Sequence, residues 1–297
     1  MKASRQIKGS LFAISGGCCW GMSGCVGQYL FTVQNMDSKW LVPIRLFLAG
    51  LIIFAYYLVK NPKQLIEPWK QKRTAIELLI YGILGVGLCQ LTYFWTIQFS
   101  SAGTATIIQN VSPVMILMVV CIAKRRSPRI FEVVSLLLAL IGVFLITTHG
   151  SLTQLVISPY ALIIGIISAA CVVVYTLTPR TLQRIYPTSL MQGWAFFMSG
   201  IVFAFILKPW DIDYTPNVLG ILGILFVVIV GNIMAFTTYM TGVKYIGAQR
   251  SSLFGFAEPV VAAIISTAFL GSTFTIWDAL GFGCIFVMMF LLVTKKA

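Results

Sequence analysis

The chain has 297 residues, of which 59% are hydrophobic and only 10% are charged, and its mean hydropathy is +0.93. A soluble domain carries about a quarter charged residues, so this composition excludes an ordinary soluble fold and indicates an integral membrane protein. The net charge of +13 could suit a nucleic-acid partner, but its distribution along the chain has another explanation, given below, and we expect no nucleic acid.

Apolar stretches of about 20 residues, long enough to cross a bilayer as helices, follow one another along the chain. The first half predicts spans at 9–31, 40–59, 75–98, 102–123 and 130–148. The linker 149–158 follows, and its His149, the only histidine, is expected to be a solvated loop residue. The second half predicts spans at 159–179, 189–207, 218–241, 248–270 and 276–294. The sequence therefore predicts an all-α integral membrane protein with ten transmembrane helices.

The cationic residues are divided unequally between alternate loops. Of the 21 Lys and Arg residues, 18 fall on the side that holds both termini, two fall on the other side, and Arg45 lies within a span. This is the pattern of the positive-inside rule, which places both termini in the cytoplasm. The pattern explains the net charge without a polyanionic partner. We expect a protein of the bacterial inner (plasma) membrane. The first span is too long for a signal peptide and is expected to be permanent.

The second half of the chain repeats the first at an offset of 146 residues. The shift superimposes Gly85 on Gly231, Tyr93 on Tyr239, Ala102 on Ala248, Pro113 on Pro259, and Glu132 on Asp278. The first span of each half needs about six residues more to match. Because each half has five spans, the second copy enters the bilayer from the opposite side. The sequence thus predicts two inverted repeats, 1–148 and 159–297, an arrangement typical of secondary transporters.

Several short motifs resemble the EamA family of the drug/metabolite transporter superfamily. They are CCWG (18–21), IRLFLAG (44–50), SAGTATIIQNVSPV (101–114), LIGVFLI (140–146) and IGAQRSSLFGFAEPV (246–260). The resemblance covers essentially the whole chain, and the order and duplication of the motifs make it specific. The family usually has a Gly-Glu pair after spans 4 and 9. This sequence has Arg125-Arg126 and Gly271-Ser272 there, so any role of those glutamates does not carry over.

The resemblance implies a transporter with a central cavity. Spans 1, 3 and 4 and their counterparts 6, 8 and 9 would line the cavity, spans 2 and 7 would flank it, and spans 5 and 10 would lie to the side. The family moves amino acids, drugs, nucleotide precursors and other metabolites, so the resemblance does not name the cargo. Export is the direction that it implies.

Two prolines lie near the middle of spans 4 and 9. Pro113 and Pro259 lack an N–H, so the carbonyl groups of Gln109 and Gly255 lose their helical partners. An unpaired carbonyl is tolerated at membrane depth only where it faces protein or water. The duplication favours a pair of hinges at a substrate site between the repeats, and a simple packing kink is the alternative.

Glu258 precedes the second proline and is the only acid predicted far from a helix end. Glu77, Glu132 and Asp278 fall in first turns, where a carboxylate is often a cap. Intramembrane acids are functional hypotheses by default. A protonated resting form of Glu258 would couple cargo to protons, and an ionised form would bind a cationic cargo. The alternative is a neutral carboxyl hydrogen-bonded to a neighbouring helix.

Arg45 is predicted near the outer end of span 2, where snorkelling to the headgroups is expected. Pairing with Asp37 or Asp278 and attraction of an anionic cargo are the alternatives. The remaining candidates for substrate binding are polar and aromatic residues at mid-depth: Trp20, Gln90, Tyr93, Gln109, Asn110, Tyr175, Trp194, Asn232 and Tyr239. Tyr93 and Tyr239 are predicted to gate opposite sides. Each of these residues has packing as its alternative role.

The sequence thus favours a secondary active exporter of small organic metabolites, such as amino acids or amphipathic and cationic compounds. It has no G-x-x-x-x-G-K-[ST] motif for ATP, and no metal or cofactor is expected. The seven cysteines are expected to be small packing residues. The alternatives are an uncoupled facilitator, an importer, a channel, or an intramembrane enzyme, for which no catalytic set is found. The expected partners are a small-molecule substrate and the lipid bilayer, and the expected state is a monomer or weak homodimer.

Overall fold

A computed structural model of the chain describes residues 2–100, 102–148, 150, 158–269 and 275–294. The described residues are overwhelmingly helical and include no strand. The predictions for His149, for most of the linker 149–158, and for Gly271 and Ser272 fall outside this part of the chain.

The first half contains six helices: α1 (Lys2–Thr32), α2 (Ser38–Lys60), α3 (Lys72–Phe99), α4 (Ala102–Gln109), α5 (Ser112–Ala123) and α6 (Ile130–Thr148). The second half contains α7 (Pro159–Leu177), α8 (Thr188–Leu207), α9 (Val218–Ile246), α10 (Ala248–Phe254), α11 (Ala257–Phe269) and α12 (Ile276–Thr294). Short helical segments lie at Pro62–Ile66, Glu67–Trp69, Arg180–Ile185 and Pro209–Asp211.

Within the described residues, six helical stretches are long and apolar enough to cross a membrane. They are α2, α3, α7, α8, α9 and the stretch Ala105–Ala123, which joins α4 and α5. Shorter apolar stretches lie in α6 and α12, at Ile130–Ile146 and Ile276–Leu291. The all-α membrane fold is therefore confirmed, whereas the count of ten crossings stays a prediction.

The same cap begins a helix at corresponding places in the two halves. The Glu132 carboxylate accepts the Arg129 N–H at 2.8 Å, and the Asp278 carboxylate accepts the Thr275 N–H at 2.7 Å. Each cap satisfies an N–H group that the first turn of a helix leaves free. Both partners of each pair are separated from their counterparts by 146 residues, so the offset seen in the sequence has a matching local structure.

The helices α2 and α8 meet in a reciprocal contact between the halves. A Cβ atom added at Gly50 would lie 2.5 Å from the backbone nitrogen of Phe197, and one added at Gly200 would lie 2.5 Å from that of Phe47. The two phenylalanine rings stack, with centroids 5.5 Å apart. Glycine at these positions lets the two backbones approach closely, as is common between membrane helices. A glycine of each helix contacts a phenylalanine of the other, so the two helices are related by a local two-fold axis.

Helices α6 and α12 form a separate layer beside the main bundle. Gly142 and Gly281 bring their backbones together, and Val143 and Ile285 are buried in the contact. This layer packs on the rest of the bundle mainly through α4, α10 and α11. It contributes no residue to the cavity described next.

Candidate functional site

Both central prolines lie in helices that are interrupted. The stretch predicted as span 4 divides between α4 and α5, and span 9 divides between α10 and α11. At the second break the Gly255 carbonyl, expected to lose its partner, accepts the Glu258 N–H at 2.9 Å. The prediction that Glu258 lies far from a helix end was therefore wrong. Because the chain unwinds before Pro259, Glu258 lies in the first turn of α11.

Two further irregularities occur at corresponding positions of α3 and α9. The backbone widens to π-helical hydrogen bonding over Ile80–Gly87 in α3 and over Val227–Met234 in α9. Such wide turns are frequent at functional sites. Gly85 and Gly231 lie within these segments, and they approach Tyr175 of α7 and Ser23 of α1 respectively. The irregular turns therefore border the same region of the bundle as the broken helices.

The breaks and wide turns surround a central cavity of about 70 Å³. Its lining comes mainly from α1, α3, α4, α5, α7, α9, α10 and α11, which correspond to the spans that the family resemblance places around the cavity. Helix α2, expected only to flank the cavity, contributes Arg45. Nine predicted residues line it: Trp20, Gln90, Tyr93, Gln109, Asn110, Pro113, Tyr175, Tyr239 and Glu258. The structure therefore brings most of the candidate residues to one place.

Three predicted residues lie elsewhere. The Trp194 indole N–H donates to the Leu65 carbonyl at 2.9 Å, and its ring packs on Trp69, away from the cavity. Asn232 is fully buried behind the cavity wall. Pro259 is buried beside Glu258 without lining the cavity.

The acid at the break is held by a tyrosine of the other half. The Tyr93 hydroxyl donates to Glu258 Oε1 at 3.0 Å, and the same hydroxyl lies 3.1 Å from the Thr106 hydroxyl. Tyr93 belongs to α3 and Thr106 to α4, whereas Glu258 belongs to α11. The hydrogen bond therefore joins the first half of the chain to the second across the cavity.

An aromatic cluster forms another wall. The ring centroids of Trp20 and Tyr239 are 4.8 Å apart, those of Trp20 and Phe236 are 5.0 Å apart, and those of Tyr175 and Phe236 are 5.6 Å apart. These distances suit the tilted and edge-to-face contacts that aromatic pairs prefer. The cluster gives the cavity an aromatic face.

Beside the cavity, polar side chains of α3, α4 and α7 are joined by hydrogen bonds. The Gln109 amide donates to the Ser168 hydroxyl at 2.7 Å, and Cys89 lies 3.7 Å from the same hydroxyl. Cys89 and the other cysteines are free thiols, and five of the seven are buried. This agrees with the expectation that they are packing residues.

Arg45 is the largest departure from the sequence-based expectation. Only 1% of this residue is exposed, it lines the central cavity, and its guanidinium donates to Gln90 Oε1 at 2.7 Å. The prediction that it snorkels to the headgroups was wrong, and the guanidinium does not pair with Asp37 or Asp278. Depth along a helix can be read from span boundaries, but the face on which a side chain lies cannot.

Helix α1 lies directly against the second break. A Cβ atom added at Gly17 would lie 3.0 Å from the Gly255 carbonyl oxygen, and one added at Gly21 would clash with the Glu258 carbonyl. The four-residue spacing of small residues in α1 therefore serves a contact with irregular backbone, which composition alone does not reveal.

Two larger openings lie at opposite ends of the bundle. The basic vestibule, of about 480 Å³, is lined by Glu132 and by six cations, Lys124, Arg126, Arg129, Arg180, Arg184 and Arg250. The small cleft, of about 330 Å³, includes Phe31, Asp37 and Gln98. Phe31 of the cleft packs edge-to-face on Phe94 of the cavity, with centroids 5.7 Å apart. Thr176 and Leu253 of the vestibule directly follow the cavity residues Tyr175 and Ser252. Thin layers thus separate the cavity from both openings.

A hydrogen-bonded cluster at the vestibule also joins the two halves. Arg126 donates to both Glu132 oxygens, at 2.7 and 2.8 Å, and reaches Gln249 Oε1 of α10 at 3.3 Å. The hydrogen bonds to Glu132 raise the pKa of Arg126. The arginine therefore stays charged.

Sequence reasoning missed several lining residues, including Ser23, Ser112, Phe94 and Ser252. Ser112 and Ser252 flank the breaks, so the prolines could have pointed to them. Phe94 follows Tyr93 and carried no distinguishing signal among the 21 phenylalanines of the chain.

Comparison with known proteins gives a consistent result. The sequence profile of the EamA-like transporter family matches residues 7–148 and again 159–294. The "Uncharacterized inner membrane transporter YicL" of Salmonella typhimurium is 34% identical over 274 residues, which cover 92% of this chain and 91% of the relative. The "Uncharacterized transporter YetK" of Bacillus subtilis is 25% identical, over 77% and 71% of the two chains. A solved crystal structure with 15% identity superimposes with a TM-score of 0.78 over 95% of both chains, which shows a shared fold.

Proposed function

Because the chain belongs to the EamA-like transporter family, we propose that it moves small organic metabolites by alternating access between two inverted five-helix repeats. It is an integral membrane protein, and its relatives are named as transporters, which favours transport over catalysis. Amino acids or amphipathic and cationic compounds are the proposed cargo. Export is the proposed direction, and Glu258 is the proposed coupling residue.

The reciprocal contacts support the inverted arrangement. The Gly50–Phe197 and Gly200–Phe47 contacts mirror each other at an offset of 150 residues. In two halves related in this way, each half can adopt the conformation of the other. The end of the protein that is closed then opens, and the end that is open closes. Such exchange around a fixed central site is the way inverted-repeat transporters work.

The size of the cavity supports a conformational cycle. Sites for small molecules measure about 300–1,000 Å³, whereas about 70 Å³ has room for a few water molecules. The cavity must therefore widen to take a metabolite. The vestibule and the cleft lie one layer away on either side, so a shift of the broken helices would join the cavity to one opening at a time.

The observation that carries the proposal is the contact between Tyr93 and Glu258. It crosses from one half to the other inside the cavity, and it lies between the two openings. A proton on Glu258 changes the strength of this contact, because a hydrogen bond to an ionised group is about twice as strong as a neutral one. Protonation would thus bias the relative position of the halves, which is the requirement for coupling.

The charge pattern supports the proposed orientation. The basic vestibule lies at the end that carries the α5–α6 loop, and the positive-inside rule assigns such loops to the cytoplasm. We propose that the vestibule opens to the cytoplasm of the cell and the small cleft to the outside, with both termini cytoplasmic.

Transport in proteoliposomes tests the proposal. Uptake of tritiated amino acids and aromatic amines is measured with and without a proton gradient, for the native protein, Glu258→Gln and Glu67→Gln. Glu67 lies on a short segment outside the cavity, so Glu67→Gln is the matched control. We expect gradient-driven accumulation in the native protein and the control, and its loss in Glu258→Gln. Normal gradient-driven accumulation by Glu258→Gln refutes coupling through this acid, and no uptake of any compound by the native protein refutes the proposed cargo class.

A further inference from the structure

The central cavity contains a buried cation that forms no ion pair with any described residue. The described residues place no carboxylate within ion-pair distance of the Arg45 guanidinium, although 99% of the residue is buried. A buried charge without a counter-ion is costly, and in membrane segments such residues mark substrate or ion pathways. Binding of an anion beside Arg45 during the transport cycle would offset the free-energy cost of burying its charge.

The partners that Arg45 has do not use all of its hydrogen-bond donors. One terminal nitrogen donates to Gln90, and the Phe94 ring stacks on the group, with its centroid 3.6 Å from the central carbon. The Nε atom has no hydrogen-bond partner. Arginine binds a carboxylate best through two parallel N–H groups on one edge, and stacking on an aromatic ring fixes the plane in which that edge lies.

Surrounding hydrogen bonds hold the guanidinium in place. Gln90 donates to Asn232 Oδ1, and Asn232 in turn donates to the Arg45 carbonyl, both at 3.4 Å. The ring of contacts joins α2, α3 and the wide turn of α9, so both halves of the chain position this one cation. A preorganised donor of this kind loses little conformational entropy when a ligand arrives.

A second orphan donor lies in the same lining. The Asn110 Nδ2 atom is buried without a hydrogen-bond partner, and it lies at the α4–α5 break. The next helix, α5, starts at Ser112, which also lines the cavity. The beginning of a helix carries partial positive charge and free N–H groups, which favour an anion.

We propose that Arg45 forms the anion subsite of the central cavity and that the transported molecule carries a carboxylate bound there. The proposal rests on the proposed transport function and names the chemical class of its cargo. The carboxylate would take two N–H groups of Arg45 and the free amide of Asn110. Both a simple organic acid and a zwitterion supply this group.

Glu258 decides between these two sources of carboxylate. Tyr93, which holds Glu258, and Phe94, which holds Arg45, are successive residues of α3 and point about 100° apart. The acid and the guanidinium therefore face different parts of the cavity. An ionised Glu258 would bind the ammonium group of a zwitterion, whereas a protonated Glu258 would accommodate a simple organic acid.

The basic vestibule suits the same cargo. Six cations and a single carboxylate line it, and that carboxylate already pairs with Arg126. A cleft lined by one sign of charge raises the local concentration of the opposite sign. The vestibule would therefore concentrate an anionic group within one layer of the cavity.

Binding of a matched series of compounds to the purified protein tests the proposal. The probes are 3-phenylpropanoate, phenylalanine and 2-phenylethylamine, which present a carboxylate, both charges and an ammonium on similar frames. Isothermal titration in detergent is carried out with the native protein, Arg45→Gln, Arg45→Lys and the control Arg73→Gln, whose residue is on the surface. We expect the native protein and the control to bind at least one carboxylate probe. We expect Arg45→Gln to bind it at least 30-fold more weakly, and Arg45→Lys to show a smaller loss because the charge remains.

Each outcome decides the proposal. If only 2-phenylethylamine binds, or if carboxylate binding is unchanged in both Arg45 variants, the anion subsite is refuted. If Arg45→Gln fails to fold by size-exclusion chromatography, Arg45→Lys alone decides, since it keeps the charge. Preference for phenylalanine over 3-phenylpropanoate, lost in Glu258→Gln, identifies the zwitterion as the source. Arg45-dependent binding without any transport in proteoliposomes counts against the transport function, whereas transport that is indifferent to Arg45 counts against the subsite.

Discussion

A single methyl group added at the α2–α8 contact should destabilise the whole bundle. In Gly50→Ala the new Cβ atom would lie 2.5 Å from the backbone nitrogen of Phe197 and 2.6 Å from its Cα. Non-bonded carbon atoms prefer about 3.5–4.0 Å, so the helices would have to separate by about 1 Å. The nearest atoms belong to backbone, which cannot rotate out of the way as a side chain can.

The magnitude follows from overpacking and from the preference of helices for alanine. Extra methylene groups in a packed core cost typically about 1–3 kcal/mol. Replacement of Gly by Ala in a helix gains up to about 1 kcal/mol and offsets part of this cost. Gly283→Ala supplies the control, because Gly283 also lies in a helix and a Cβ atom there would meet no atom within 4 Å apart from its own stretch of helix. The difference between the two variants isolates the steric cost, which we expect to be about 1–3 kcal/mol.

The assay is the free energy of unfolding of the detergent-solubilised protein, from titration with sodium dodecyl sulfate followed by circular dichroism. Gly200→Ala should match Gly50→Ala, because its Cβ meets the corresponding atoms of Phe47 at nearly the same distances. The double variant should lose less than the sum, since one separation of the helices relieves both clashes. Equal stability of Gly50→Ala and Gly283→Ala would show that the reciprocal contact does not constrain the fold.

Two further predictions concern the aromatic residues. Trp194→Phe removes the hydrogen bond to the Leu65 carbonyl, so it should lower the free energy of unfolding by about 1 kcal/mol. Uptake into proteoliposomes should stay at the native rate. A large loss of uptake at native stability would instead show that Trp194 takes part in transport. The second prediction uses a variant that lacks the seven native cysteines and carries one new cysteine, at position 93 or at position 239. If Tyr93 and Tyr239 gate opposite ends, membrane-impermeant maleimides should label the two positions from opposite sides of the membrane. Labelling of both positions from one side only contradicts that assignment.

Much of the fold could be predicted from the sequence because a bilayer allows few solutions. Every backbone polar group must be satisfied within lipid, so apolar stretches of fixed length become helices. The repeat offset could be read from Gly85 and Gly231 because glycine is needed where backbones approach. The prolines correctly predicted that spans 4 and 9 depart from regular helix. What they did not predict is that the helix ends before each proline, which moved Glu258 to the start of a new helix.

The site itself was only partly predictable, because the sequence does not show on which face of its helix a side chain lies. Arg45 was expected near the headgroups and Trp194 at the substrate site, whereas Arg45 lines the cavity and Trp194 packs on Trp69 away from it. The wide turns of α3 and α9 were missed because their sequences, IYGILGVG and VVIVGNIM, look like ordinary apolar membrane spans. A π turn arises from tertiary contacts that outweigh one regular hydrogen bond, and a local pattern does not contain them.

The backbone contact between α1 and the second break links charge to shape. Gly17 and Gly21 leave no side chain between α1 and the carbonyl groups of Gly255 and Glu258. A rearrangement of the acid on gaining or losing a proton would be transmitted as a rigid displacement, with no flexible group to absorb it. Since α1 also carries Trp20, a change of charge on Glu258 would move Trp20 and so change the shape of the cavity.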